Sequence, residues 1–361
     1  MISSIQTITQ TAARALACGA VAAVVAFMPL TARAADDAAQ GQNSAQSDEI
    51  EYATQSKLAS KELLLSAAHA GNRIVAVGEF GNIVYSDDDG KTWTQAETVP
   101  TQATLTAVTF ITDKLGYAVG HDAIVLRTRD AGVTWERAFY DPESETPFMT
   151  VLFESKQHGF AMGAFSKFVE TKDGGETWKE RSLSEGLLDD YHLNDAFETT
   201  NGTIFVAAEF GVVYRSTDDG ATFERIQTPY EGSFWGGLAL DDGSVMVFGM
   251  RGNAYRTRDN GETWQKIDTG TDKSIAGGVQ LDKNDVVLTG LQGYVGYSTD
   301  GGEHFTEVTR ADRLGYSAVV KGAKGQIIVF GEPGAKVMPD NAAEAEKAVG
   351  ASYSITPPSG S

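Results

Sequence analysis

Six octapeptides recur along the 361-residue chain: SDDDGKTW at 86–93, TRDAGVTW at 128–135, TKDGGETW at 171–178, STDDGATF at 216–223, TRDNGETW at 257–264 and STDGGEHF at 298–305. Their third residues, Asp88, Asp130, Asp173, Asp218, Asp259 and Asp300, are separated by 42, 43, 45, 41 and 41 residues. A near-constant period of this length means that one supersecondary unit is stacked repeatedly, since such a unit cannot bury both its faces alone. The residue types define a hairpin corner. The aspartate can accept hydrogen bonds from turn N–H groups, and the glycine two residues later supplies a backbone conformation that a Cβ opposes. The closing aromatic, Trp93, Trp135, Trp178, Phe223, Trp264 or Phe305, starts the outgoing strand and can bury its ring against the neighbouring unit. Only Phe223, Phe305 and His304, which stands where the other boxes have threonine, vary this pattern.

Each octapeptide follows two strands joined by a short loop, as in VAVGEFGNIVYS and FVAAEFGVVYRS, and each pair follows a further apolar run. These runs fall around 62–68, 104–111, 148–154, 191–198, 234–240, 274–281 and 314–320. The unit therefore has four short strands, and seven units imply an all-β, seven-bladed β-propeller with four-stranded antiparallel blades over residues 61–338. The seventh unit lacks the octapeptide. Its outer strand has two candidate sources, Ile50–Thr54 or Tyr353–Thr356, and sequence leaves the choice open.

Composition narrows the function. There are 39 glycines, against a typical share of about 7%, in keeping with many tight turns. Lys and Arg number 29 and Asp and Glu 49, a net charge of −20, which opposes binding to nucleic acid. The one cysteine, Cys18, excludes a disulfide framework and a cysteine-based metal site. Arg14, the apolar run from Ala15 to Leu30 and the Ala32-Arg33-Ala34 triplet read as a signal peptide over 1–34, cleaved near Ala34. The run is too short for the ~20 residues that span a bilayer. Cleavage leaves 27 basic and 49 acidic groups, a net charge of −22, and an export destination such as the periplasm. Residues 35–60 read as a flexible leader and 339–361 as a tail.

The octapeptide is the Asp-box, or BNR repeat, found in sialidases, two-propeller xyloglucanases, sortilin-type receptors and the photosystem II stability/assembly factor family. With six boxes, seven compact units and no long insertions over residues 60–338, the chain resembles the last of these and its relatives in non-photosynthetic bacteria. That resemblance implies a non-enzymatic exported scaffold, periplasmic or in a thylakoid lumen, which helps assemble or stabilise a membrane protein complex. The alternative is a glycan-binding or glycoside-hydrolysing propeller. Sialidase chemistry would require three arginines on a carboxylate, a tyrosine–glutamate pair and an acid/base aspartate, and the early Arg-Ile-Pro segment is missing.

No nucleophile elbow, phosphate cradle or paired histidines occur, so no catalytic residue, cofactor or metal is expected. The acidic runs at Asp87–Asp89 and Asp218–Asp219 lack the spacing of a calcium loop. The expected state is a monomer. Partner-binding candidates lie in the loops opposite the boxes: Phe80, His121, Phe165, Phe210, Arg251, Arg310 and Arg313. The three phenylalanines recur at one position, serving either as packing at the blade top or as an exposed ring around the channel mouth. The resemblance also implies a basic patch, for which Arg215, Arg251, Arg256, Arg310 and Arg313 are candidates.

Overall fold

The second strand of every unit is a near-continuous apolar run, which a sheet tolerates only when both its faces are covered. The computed structural model, which describes residues 50–183, 190–323, 325–339 and 344–345, satisfies that demand by packing blade against blade. Blade 1 consists of Leu64–Ala70, Arg73–Gly78, Ile83–Ser86 and Thr94–Gln95, paired antiparallel in chain order from the inside outwards. Blades 2 to 6 repeat this order, with innermost strands Leu105–Phe110, Phe148–Phe153, Leu193–Glu198, Phe234–Ala239 and Ile275–Gln280. Blade 7, starting with Tyr316–Lys321, has three strands among the described residues.

Seven apolar clusters each span one seam between neighbouring blades. One of them joins Leu64, Ile74 and Val84 of blade 1 to Val320, Ile328 and Phe330 of blade 7, so apolar packing closes the ring. Polar side chains on the innermost strands stitch the same seams. The Ser317 hydroxyl donates to the Leu64 carbonyl at 2.8 Å across the closure, and Thr106 donates to the Phe148 carbonyl at 2.6 Å.

Of the two candidate sources for a fourth strand in blade 7, the leader segment supplies none. Residues 50–54 form no strand and lie along the outer edge of blade 1 instead, where the Ala53 amide donates to the Val99 carbonyl at 2.9 Å and Gln55 Nε2 to the Ala96 carbonyl at 2.8 Å. Further on, Ala59 is buried and the Ser60 carbonyl accepts from the Ala335 amide of blade 7 at 3.0 Å. The segment Tyr353–Thr356 and the 1–34 signal peptide lie outside the described residues.

Each box closes as its residue types require. In blade 3, Asp173 Oδ1 accepts from the Thr177 amide at 2.9 Å and from the Thr171 hydroxyl at 2.8 Å, while Oδ2 accepts from the Thr177 hydroxyl at 2.5 Å. Gly175 follows at φ +75°. In blade 6, His304 Nδ1 meets Asp300 Oδ2 at 2.8 Å in place of the threonine hydroxyl. The box aromatic then rests on the second strand of the preceding blade, as with Trp264 against Phe205 and Phe223 against Phe160.

Donation by threonine hydroxyls and amides holds the carboxyls of Asp88, Asp173 and Asp259 down to about 2. A carboxyl depressed in the folded state stabilises it above the unfolded value near 4, and that contribution disappears as pH falls through about 2. The melting temperature is accordingly expected to fall steadily below pH 4, and an Asp88→Asn/Asp173→Asn/Asp259→Asn variant should show a shallower fall. Parallel acid melting curves check this, and equal slopes would contradict it.

Candidate partner-binding face

The central channel and the face carrying the loops are both open to a ligand. The channel is walled by the innermost strands and encloses a cavity of about 280 Å³ whose lining includes Ser66, Thr106, Asn194, Asp195, Trp235 and Ser317. Asp195 is the one ionisable side chain in that lining. Its Oδ2 accepts from the Gly237 amide of blade 5 at 3.0 Å, and Oδ1 faces the Thr150 hydroxyl of blade 3 at 3.5 Å. Burial pushes its carboxyl up to about 6, against the opposing pull of these donors. Glycoside hydrolysis uses two carboxyl groups flanking the scissile bond, whereas this channel offers one, which bridges three blades.

The loop face is built from the turns joining second to third strands and from the linkers between blades. These are fastened together, with the Gly81 amide donating to the Ala103 carbonyl at 3.0 Å and the Ser166 amide to the Tyr191 carbonyl at 2.8 Å. The turn geometry decides which side chains face solvent. In blade 4, Gly211 at φ +69° lies so close to the linker that a Cβ would stand 1.7 Å from the Tyr230 carbonyl oxygen. The residue before it, Phe210, also has positive φ, at 55°. Phe80, Phe165, Arg251 and Gln292 hold the same left-handed conformation at the tips of their own blades, with φ between 51° and 57°.

Consequently Phe80, Phe165 and Phe210 are 66%, 64% and 56% exposed, and the packing alternative for them does not apply. A left-handed conformation costs a residue with a Cβ about 1–2 kcal/mol, and an exposed ring recovers none of that through burial. Blades 3 and 4 bring their rings together. Phe165 meets the edge of His192 at 4.9 Å between centroids, and Phe210 meets Tyr191 at 5.1 Å. The glutamate before Phe210 is part of the frame, as Glu209 accepts from the His192 amide at 2.9 Å. Glu79 and Glu332 do the same for Leu63 and Gly315 in blades 1 and 7. Tyr191 and His192 stand on the linker that enters blade 4, directly before the strand Leu193–Glu198. The repeated Glu-Phe-Gly at 79–81 and 209–211 is the sequence signal for the tip geometry.

The sequence model of the family described as Photosynthesis system II assembly factor YCF48 matches residues 30–129 and 133–281, more than half of the chain. The chain belongs to that YCF48 family. No curated protein matches it. Among solved structures, "YCF48 bound to D1 peptide" is 17% identical over 76% of this chain and 92% of that one, with a TM-score of 0.63. YCF48 from Cyanidioschyzon merolae is 13% identical over 79% and 97%, also with a TM-score of 0.63. A GH74 enzyme from Niastella koreensis is 15% identical over 78% of this chain and 53% of that one, with a TM-score of 0.61. Identities this low speak for the fold alone.

Within this YCF48-family propeller the arginines divide into two groups. Arg215 and Arg256 are not on the loop face but brace seams on the box side, which corrects their assignment to a basic patch. Arg215 Nη1 reaches Glu262 of the next box at 2.8 Å. Arg256 is buried and holds Ser244, Asp242 and Glu303 at 2.8, 2.8 and 2.9 Å. Arg127 repeats the device, 2.8 Å from Glu176. Their position at the end of a third strand, one residue before the box, places their side chains over the neighbouring box, which the linear sequence does not display.

Of the loop-face candidates, His121, Arg251 and Arg313 are exposed. Arg310 is half-buried, paired with Asp312 at 2.9 Å and set over the Tyr316 ring. The structure thus leaves two exposed guanidinium groups of the five candidates on this face. Among the described residues no group of three His, Cys, Asp or Glu side chains is placed to hold a metal ion, and no helix is long and apolar enough to cross a membrane.

Proposed function

We propose that this protein is a non-enzymatic, exported scaffold that grips a membrane protein through the loop face of its propeller and so helps assemble or stabilise the complex containing that protein. The observation that carries the reading is the set of exposed side chains held in a costly backbone conformation on the loop face, Phe80, Phe165, Phe210 and Arg251 at turn tips and Arg313 on the linker entering blade 7. Large aromatics and arginine dominate binding energy at interfaces. Membership of the YCF48 family supports it, as does the existence of a YCF48 structure bound to D1 peptide. The sequence pattern over residues 1–34 supports export, and in a non-photosynthetic host the client would be another envelope complex, such as a transporter.

The test is an affinity pull-down from detergent-solubilised envelope with the native protein and an Arg251→Ala/Arg313→Ala variant. Both arginines are exposed, so the variant should melt within about 0.5 kcal/mol of native while recovering several-fold less client. One membrane complex recovered by the native protein in preference to the variant is the expected result. Equal recovery by both, or a variant that melts as badly as a seam mutant, counts against the face assignment. Turnover of a fluorogenic xyloglucan oligosaccharide by the native protein would replace the scaffold reading with the glycoside hydrolase one.

A further inference from the structure

Resting on the loop-face reading, the geometry points to a narrower assignment: the four rings on blades 3 and 4 form a docking patch for a polypeptide segment that carries lysine or arginine beside an apolar side chain. Phe165, His192, Tyr191 and Phe210 are joined pairwise at 4.9 and 5.1 Å, and the two pairs are tied by the bond from Ser166 to Tyr191, so they form one surface over two adjacent blades. The tips of blades 2, 5 and 6 have polar residues, Asp122, Arg251 and Gln292, in the same left-handed conformation. The fold therefore accepts a polar residue at this position, and packing does not call for phenylalanine there.

Charge identifies the occupant. Carboxylates neighbour these rings along the chain: Glu209 precedes Phe210 and binds the His192 amide, the exposed Asp190 precedes Tyr191, the exposed Glu231 lies on the next linker, and the linker entering blade 3 carries the exposed Glu143 and Glu145. Lys167, on the blade 3 turn itself, is already engaged by Asp141 at 3.0 Å and Glu180 at 2.6 Å. Arg225 lies 5.9 Å from the Tyr191 ring centroid, an intramolecular example of the contact that a ligand cation would make with the other rings. Aromatic faces ringed by carboxylates attract cations and apolar side chains together, and they repel an acidic segment.

The experiment selects a random twelve-residue displayed peptide library on the immobilised protein and measures binding of the enriched peptides, made synthetically, to three forms of it. Phe165→Asn/Phe210→Asn removes the two phenylalanine rings of the patch while keeping the left-handed backbone easy to adopt, so its melting temperature should equal or exceed that of the native protein. Enriched peptides are expected to combine Lys or Arg with apolar residues, to weaken with added salt and to bind the double asparagine variant about tenfold more weakly. Arg251→Ala/Arg313→Ala should bind them as the native protein does. A peptide set that is acidic, or whose binding is unchanged by the asparagine variant, overturns the assignment. If such binding is lost only with Arg251→Ala/Arg313→Ala, the loop face still binds and the patch alone is wrong. If neither variant affects it, or no peptide is enriched, both readings fall.

Discussion

Trp135→Ala is expected to lower the unfolding free energy by about 3–5 kcal/mol, the largest single-residue loss foreseen here. Trp135 is only 4% exposed and belongs to the apolar seam between blades 1 and 2, with the Phe110 ring edge-on at 6.3 Å. Its Nε1 donates to the Gly132 carbonyl at 3.1 Å, and Gly132 itself abuts Val75 of blade 1. Removing the indole opens a cavity between two rigid sheets that cannot close on it, and leaves that carbonyl without its donor. Trp135→Phe should recover much of the loss, because Phe223 and Phe305 fill the equivalent places in blades 4 and 6. Urea unfolding followed by near-ultraviolet circular dichroism measures both, and a loss below about 1 kcal/mol for alanine would contradict the seam account.

Asp195→Asn is expected to act in the opposite direction, with a gain that grows as pH rises from about 4 to 6 and then holds. The folded protein keeps the Asp195 proton up to about pH 6, whereas an unfolded aspartate releases it near 4. The native state therefore loses stability as pH rises through that window, because the charge it must accept sits in the channel wall. Asparagine carries no such charge, its carbonyl can still accept from the Gly237 amide, and its NH2 can donate to Thr150. Part of the residue still meets the open channel, which discounts the full effect. The gain should be about 1–3 kcal/mol at pH 7.5 and close to zero at pH 4. Unfolding midpoints of the two proteins at pH 4, 6 and 7.5 decide it, and a difference that does not change with pH would remove Asp195 as the source.

The six boxes made the architecture readable because each is a local device. The hydrogen bonds of Asp173 run to residues two and four positions away, so the spacing of the octapeptide alone specifies its corner. The strand runs were readable for a related reason: a strand covered on both faces must be apolar throughout, and seven such runs at one period leave little choice of fold. The exposure of Phe80, Phe165 and Phe210 could also have been read, since the repeat aligns them with Asp122, Arg251 and Gln292, residues that seldom face a core.

What tertiary structure alone decided are the contacts across seams and around the ring. Arg256 looks like a free surface cation until Glu303, 47 residues away in the next blade, is brought to its guanidinium. Residues 50–54 alternate enough to suggest a strand, yet hydrogen bonding along blade 1 places them elsewhere. Phe165 and Phe210 stand 45 residues apart in sequence, and only the curvature of the ring makes their rings part of one acidic, aromatic surface. Sequence period thus determined the blade, because its bonds are local. The ring determined the binding face and the charge in the channel, because those depend on which blades become neighbours and on which groups their closure removes from water.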